Sequence, residues 1–361
     1  SERIVQAGTL EDPEFKVQLW NTPETLDATR TASTIYGLAQ RFPFPGTLAR
    51  QQDIAAREAD QAGRRLAAKQ LEVKAAVKIA YYELFYAYKA IDIHHEHIDL
   101  LQQFFEIANA KFRVGKGTQV DVLKAQVELS KLFQLLPLLE QRRETAQAQL
   151  NTLLDRDPQV PLGVPREPVA RKLTYSIEDL QNRAIHFRPE IQEADLAISR
   201  SESAVKLARL QYYPKLQVEV QRWQNFNADD GFGGNFTVNI PFSFWTKPKY
   251  DAQVRQAQAG IETARSKKQA IENLTRFGVK DFFEQVQATR RIVTLYVTTV
   301  IPQAVETRDA ALAGYRTGRT DFLDLIDADR AVLTYRLEYY RSLSDLEQQR
   351  AALERIVGIE L

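Results

Sequence analysis

From Gly46 onward the apolar residues fall on one helical stripe. Ala55, Ala59, Ala62, Leu66, Val73, Val77, Ala80, Leu84, Ala87, Ile91, Ile98, Leu101, Phe105, Ala108 and Phe112 follow steps of four and three, with Gln70 and His94 interrupting. A 3.5-residue repeat held this long implies left-handed supercoiling against neighbours. The helix it predicts, over 48–112, is roughly 100 Å long at 1.5 Å per residue. A second long helix is expected over 249–314, marked by Gly260, Gly278 and Pro302. Shorter helices are expected over 119–154, 176–212 (broken near Pro189) and 321–357. The pieces 119–154 and 176–212 together nearly equal one long helix, so they are expected to stack end to end. Helices of this length need a bundle, a coiled coil or a barrel wall. Ahead of each long helix the period drops to two. Phe15, Val17 and Leu19 alternate with Lys16 and Gln18, and Leu216, Val218 and Val220 with Gln217 and Glu219. Phe236, Val238, Ile240, Phe242 and Phe244 form the longest alternation, while the pattern near 33–42 is weaker. Strands are therefore expected within 13–42 and 214–244. Their loops, NTPETLDATRT and NFNADDGFGG, are too long for two-residue turns. Residues 156–175 hold four prolines between 158 and 168 and read as an irregular connector.

The order of elements occurs twice. FRVGKGTQVDVLKAQVEL at 112–129 aligns without gaps on YRTGRTDFLDLIDADRAV at 315–332. Arg113/Arg316, Gly115/Gly318, Asp121/Asp324 and Ala125/Ala328 are identical at an offset of 203. Pro13 and Pro214 match at an offset of 201, and Pro43 and Pro241 at 198. The chain is thus one duplicated unit. The first repeat is 1–155, with strands in 13–42, long helix 48–112, tip turn 113–120 and helix 119–154. The second is 176–361, with helix 176–212, strands in 214–244, long helix 249–314, tip turn 315–320 and helix 321–357.

Four strands per chain do not close a barrel, and an open sheet edge cannot sit in lipid. Three chains would supply 12 strands and 12 helical columns. Trp20, Trp223 and Trp245 fall within or at the ends of the expected strands. They read either as membrane-interface aromatics of a barrel or as part of an aromatic-rich soluble sheet; duplication and helix length favour the barrel.

Composition narrows the classes. Lys and Arg number 48 against 47 Asp and Glu, a net charge of +1, so nucleic-acid binding through bulk charge is excluded. With no Cys, thiolate metal sites and Cys nucleophiles are absent. Hydrophobic content of 44% is enough for a core, yet no run is long enough for a membrane-spanning helix. There is no G-x-S-x-G, Walker loop or H-E-x-x-H, so neither an enzyme nor a cofactor is expected. No Met occurs; with the drifting repeat offset this fits either natural indels or positions lost from the chain. Ser1 opens as if inside a helix, so a trimmed or mature chain is expected.

Taken together, these residues resemble the TolC family of outer-membrane efflux channels. The twice-repeated turn and helix start carry the resemblance most strongly. FPFPG before the first long helix and YYP before the second hairpin are similar to the heavy-metal (CusC/CzcC-like) branch. The resemblance implies a mainly α protomer with four strands and four long helical columns. It implies a homotrimer whose 12-stranded membrane β-barrel continues into a 12-helix α-barrel across the periplasm of a Gram-negative bacterium. It further implies outer-membrane lipid, a periplasmic adaptor and an inner-membrane RND-type pump as partners, and in many members an N-terminal lipidated Cys. A soluble coiled-coil scaffold and a periplasmic adaptor are the alternatives. The first leaves the strand hairpins unexplained; the second lacks its lipoyl-like and small β-barrel domains.

Candidate residues gather at the turns. Gly115 and Gly318 suit a helix C′ position with φ > 0. Asp121, Asp324 and Asp327 follow them, where the helix dipole stabilises carboxylates, and Asp321 suits an N-cap. Asp324 and Asp327 share a helix face; under threefold symmetry they would form carboxylate rings, which select cations. By resemblance, they match the family's pore-constricting acidic pair, and Tyr315 and Asp121 match positions that tie neighbouring helices shut. Arg319 and Lys116 are possible cationic partners, one residue off the family's basic position. His94 and His97, in HHEH, invite a metal reading, but His94 lies on the apolar stripe and no second cluster completes a site. A solvated or seam-filling pair is the plainer reading.

Overall fold

The computed structural model describes residues 2–22, 33–225, 229–241 and 243–361. A short helix α1 (Glu2–Gly8) precedes the hairpin β1 (Glu14–Trp20) and β2 (Ser33–Phe42). The long helix α2 (Thr47–Arg113) and α3 (Gln119–Leu153) follow. The second repeat runs α4 (Ile177–Phe187), α5 (Pro189–Leu210), β3 (Leu216–Asn225), β4 (Gly231–Val238), α6 (Lys247–Leu295), α7 (Ile301–Thr317) and α8 (Phe322–Val357). The chain packs as two compact units. One gathers the chain up to Ala67 with Pro189–Glu272, the other Ala68–Arg188 with Asn273–Leu361. Each unit draws a stretch from both repeats, so the repeats and the compact units divide the chain differently.

In the first unit the strands form one antiparallel sheet in the order β1-β2-β3-β4, leaving β1 and β4 as edges. β2, weakest in the sequence pattern, is a full interior strand of 10 residues paired on both sides. Its alternation is blurred because Gly37 and Ala39 sit buried where larger residues would clash; a Cβ on Gly37 would lie 2.7 Å from Glu219 Oε1. Register places Phe15, Leu38 and Val220 in one row, and Val17 and Tyr36 in the next. Leu216–Val238 and Val218–Phe236 continue this face, which is exposed and largely apolar. Lys16, Arg41, Gln217, Glu219 and Gln221 occupy the other face, where Lys16 pairs with Glu219 at 3.2 Å.

β4 differs from expectation at both ends. It begins at Gly231, inside the segment expected as loop, because the indole of Trp223 covers Gly231 and Gly233 and replaces the packing they lack. It ends at Val238 rather than running to Phe244. Pro241 cannot donate to a ladder, and its carbonyl accepts from Thr246 Oγ1 at 2.8 Å in the turn that starts α6. Phe244 and Trp245 therefore stand in a turn. Phe242 and the loop residues 23–32 and 226–228 lie outside the described residues.

In the second unit the expected helices form, with two local differences. The column expected over 249–314 contains a π-helical turn, Tyr296–Val300. Pro302 lacks an N–H and would crowd the preceding turn of an α-helix; the wider turn absorbs it. The column also runs on to Thr317, so Tyr315 belongs to the last turn of α7 rather than to the loop. Helix α4 ends at Phe187 because Arg188, ahead of Pro189, is extended (ψ 120°). The connector between α3 and α4 has no regular structure and is tied down by Asn151 Nδ2, which donates to Val160 O at 2.7 Å. One core gathers Phe85, Leu180, Val279, Val286, Val293, Leu343, Leu346 and Leu353. Another, nearer the turns, brings together α2, α3, α7 and α8 through Ile98, Phe104, Ala125, Leu132, Tyr315, Phe322 and Leu325. Each fully buried Leu or Phe contributes roughly 1.5–3 kcal/mol. Among the described residues no helix is long and apolar enough to cross a membrane.

Candidate functional site at the helix turns

The two turns close in the same way. After α2, Lys116 N donates to Lys111 O (2.8 Å) and Gly115 N to Phe112 O (3.0 Å). After α7, Arg319 N donates to Gly314 O (2.8 Å) and Gly318 N to Tyr315 O (3.1 Å). Gly115 and Gly318 have φ of 71° and 79°, which a side chain adopts only with strain. The helices that follow start differently. Thr118 and Asp121 form a capping box: Thr118 Oγ1 accepts from Asp121 N, and Asp121 Oδ2 from Thr118 N. Asp321 holds the N-cap position of α8 but makes no side-chain cap bond.

The structure joins several predicted residues. Tyr315 is 3% exposed, packed on Phe322, and its hydroxyl donates a long bond of 3.4 Å to Asp121 Oδ2. Burial, together with Asp121, raises its phenol to about 12, so it remains a donor across the physiological range. Asp324 and Asp327 are both exposed on the face of α8 opposite Phe322, Leu325 and Ile326. Asp327 is not bare: Arg330 Nη1 donates to it at 2.9 Å and Arg330 Nη2 reaches Glu128 of α3 at 2.5 Å. Asp324 has no partner among the described residues. Arg319 and Lys116 are exposed, and neither side chain meets an acidic residue there.

Sequence reading missed two contacts. Lys111, in the last turn of α2, lies 4.2 Å over the Tyr315 ring and donates to the Tyr315 carbonyl. Its signal was the repeat itself, since the second repeat has Gly314 at this position. The other contact is a buried pair between α2 and α8, in which His97 Nε2 lies 3.1 Å from Asp329 Oδ2. Asp329 is 1% exposed and its Oδ1 has no partner among the described residues. Asp329 lies on the Phe322–Ile326–Val332 stripe, so an acid in core phase was visible in the sequence. Burial raises its carboxyl to about 7, with Arg308 opposing. Burial pushes the His97 imidazole down to about 4, aided by His94, Arg308 and Arg336 and opposed by Glu128.

His94 is buried on the apolar stripe, with Nδ1 2.8 Å from Ala90 O. Among the described residues no group of three His, Cys, Asp or Glu could hold a metal. Of the tryptophans, Trp20 and Trp223 share the polar face of the sheet with Lys16 and Glu219, because their positions are in phase with those residues. Trp245 is 70% exposed and packs edge-on against Phe244 at 4.5 Å.

The outer membrane efflux protein family model matches residues 18–156 and 180–359. The cobalt-zinc-cadmium resistance protein CzcC of Cupriavidus metallidurans is 22% identical over 98% of this chain and 83% of its own length. The solved outer-membrane channel OprN superposes with a TM-score of 0.81 at 18% identity, covering 99% of this chain and 83% of that one. CusC gives 0.74 at 16% identity, covering 99% and 86%. At these identities the structural likeness is one of fold.

Proposed function

The chain belongs to the outer membrane efflux protein family, and from that premise we propose that three copies assemble into a passive exit duct, closed at its periplasmic end by the helix turns. The observation that carries this reading is the two-faced sheet with open edges. Phe15, Leu38, Val220, Phe232 and Phe236 form a contiguous exposed apolar face, the kind of surface that marks a membrane or partner contact. The opposite face carries Lys16, Glu219, Gln221 and Arg41, as a water-filled lumen requires. Edge-to-edge closure of three such sheets satisfies β1 and β4 and yields a closed barrel of 12 strands, the closure being what lipid demands.

In this assembly Phe244 and Trp245 are the interface aromatics at the helical end of the barrel, while Trp20 and Trp223 face the lumen at the hairpin end. Asp324 and Asp327 line the constriction, and Tyr315 with Asp121 holds α7 to the start of α3. The acidic constriction and the likeness to CzcC favour divalent metal cations as cargo. A periplasmic adaptor and an inner-membrane RND-type pump would complete the path. A plain coiled-coil scaffold accounts for the helices but gives the apolar sheet face no role.

The test is extraction and mass. The protein is expected to leave the membrane only with detergent and to run as a complex of three chains by light scattering. A monodisperse, water-soluble monomer would reject the reading.

A further inference from the structure

We propose that Lys111 is a positioning residue for the gate, fastening Tyr315 in the orientation that points its hydroxyl at Asp121. This deepens the reading of the helix turns as a gate and rests on it. Lys111 sits in the last turn of α2, as Tyr315 does in the last turn of α7. The ammonium meets Tyr315 twice, over the ring face at 4.2 Å and at its main-chain carbonyl. Both contacts suit a cation. The ring face is the negative end of the aromatic quadrupole, and the last carbonyls of a helix carry the negative end of its dipole. Tyr315 is almost fully buried, so water competes poorly for this site. A hydroxyl 3.4 Å from its acceptor is a weak restraint by itself. Ring and backbone held together by one cation leave the phenol little freedom to swing away from Asp121.

The asymmetry between the turns explains why only one carries the cation. In each turn, the residue four before the left-handed glycine (Gly115 or Gly318) approaches the residue two beyond it. In the first turn these are Lys111 and Gly117; a Cβ on Gly117 would lie 3.0 Å from Lys111 Cβ. In the second they are Gly314 and Thr320; a Cβ on Gly314 would lie 2.1 Å from Thr320 Oγ1. In each pair, space for a second side chain is short. The first turn places glycine in the loop and frees a long side chain on the helix. The second places glycine on the helix, so α7 has no side chain at the position that Lys111 holds in α2. Gly117 has no unusual backbone angle, so its role is space rather than conformation.

The test uses the detergent-solubilised full chain in planar bilayers, with Lys111→Gln, Lys111→Arg, Tyr315→Phe and the double variant K111Q/Y315F. Lys111→Gln is expected to raise the closed-state conductance on the order of tenfold, as the loss of a partly desolvated cation–ring contact implies. Lys111→Arg should keep the channel closed, because guanidinium also stacks on rings and donates to carbonyls. The double variant should leak no more than the stronger single variant, since both act through one contact. Gly117→Ala is a second route: it crowds Lys111 without removing charge and should produce a smaller leak. If Tyr315→Phe opens the channel and Lys111→Gln and Gly117→Ala do not, the fastening role of Lys111 is wrong and the gate stands. If none of the variants alters conductance, the gate reading fails and this inference falls with it.

Discussion

Replacing Asp324 and Asp327 together by alanine raises the conductance of the reconstituted channel roughly several-fold and lowers its cation preference by roughly tenfold. Both carboxylates are exposed on one face of α8, one turn apart; in the proposed threefold assembly they would form two rings. A ring potential of one to two kT enriches cations and depletes anions by a few-fold each, which gives about a tenfold ratio. Conductance rises because alanine is shorter and because losing Asp327 releases Arg330, which otherwise bridges it to Glu128. The two positions are therefore unequal. Asp324, with no ion-pair partner among the described residues, should account for most of the selectivity. Asp327, paired with Arg330, should account for more of the width. Single-channel recording and reversal potentials in a salt gradient separate the two; unchanged values for both variants would remove the acidic ring from the account.

The second large effect is on stability against pH, and it appears only when the His97–Asp329 pair is split. Asp329 is raised from 3.8 to about 7, so it keeps a proton that the unfolded chain has lost. Its contribution is complete below about pH 4 and disappears as pH rises through 7. His97 is lowered from 6.5 to about 4, so its contribution is complete above 6.5 and disappears as pH falls through 4. Between these limits the folded pair and the unfolded pair each hold one proton, and the opposing slopes cancel. The native pair should therefore add almost no pH dependence of its own. His97→Gln leaves Asp329 alone, and stability should fall with rising pH by up to about 1.4 kcal/mol per unit. Asp329→Asn leaves His97 alone, and the slope should reverse sign. A cavity of about 260 Å³, lined by Glu96, Asp99, Arg308 and Arg336 among others, borders His97. Thermal midpoints of the detergent-solubilised variants from pH 4.5 to 7.5, each compared with the parent, measure both slopes. Parallel profiles for all three would contradict the burial of this pair.

Much of this was legible in the sequence, for physical reasons. The long helices were visible because a 3.5-residue stripe has few other structural outcomes. The turns were visible because a left-handed backbone angle demands glycine at 115 and again at 318. The end of β4 was harder: the alternation through Ile240 and Phe244 continues past Pro241, and only the ladder shows that pairing has stopped. For the tryptophans, the period-two phase says which face each occupies, which their place within or at the ends of strands does not. Trp20 is in phase with Lys16 and Gln18, and Trp223 with Glu219 and Gln221, so both belong to the polar face. The His97–Asp329 pair spans 232 positions, and no local rule links such residues. Asp329 could still have been singled out as a charge on an apolar stripe. Lys111 could have been found by asking where the repeats disagree instead of where they match.

The most direct test is an electron cryo-microscopy structure of the detergent-solubilised protein at side-chain resolution. Three chains are expected, their four-stranded sheets closed edge to edge into one 12-stranded barrel, with Asp324 and Asp327 of each chain directed at the symmetry axis. A chain whose sheet stays open, or a trimer in which these two carboxylates face away from the axis, would contradict this assembly.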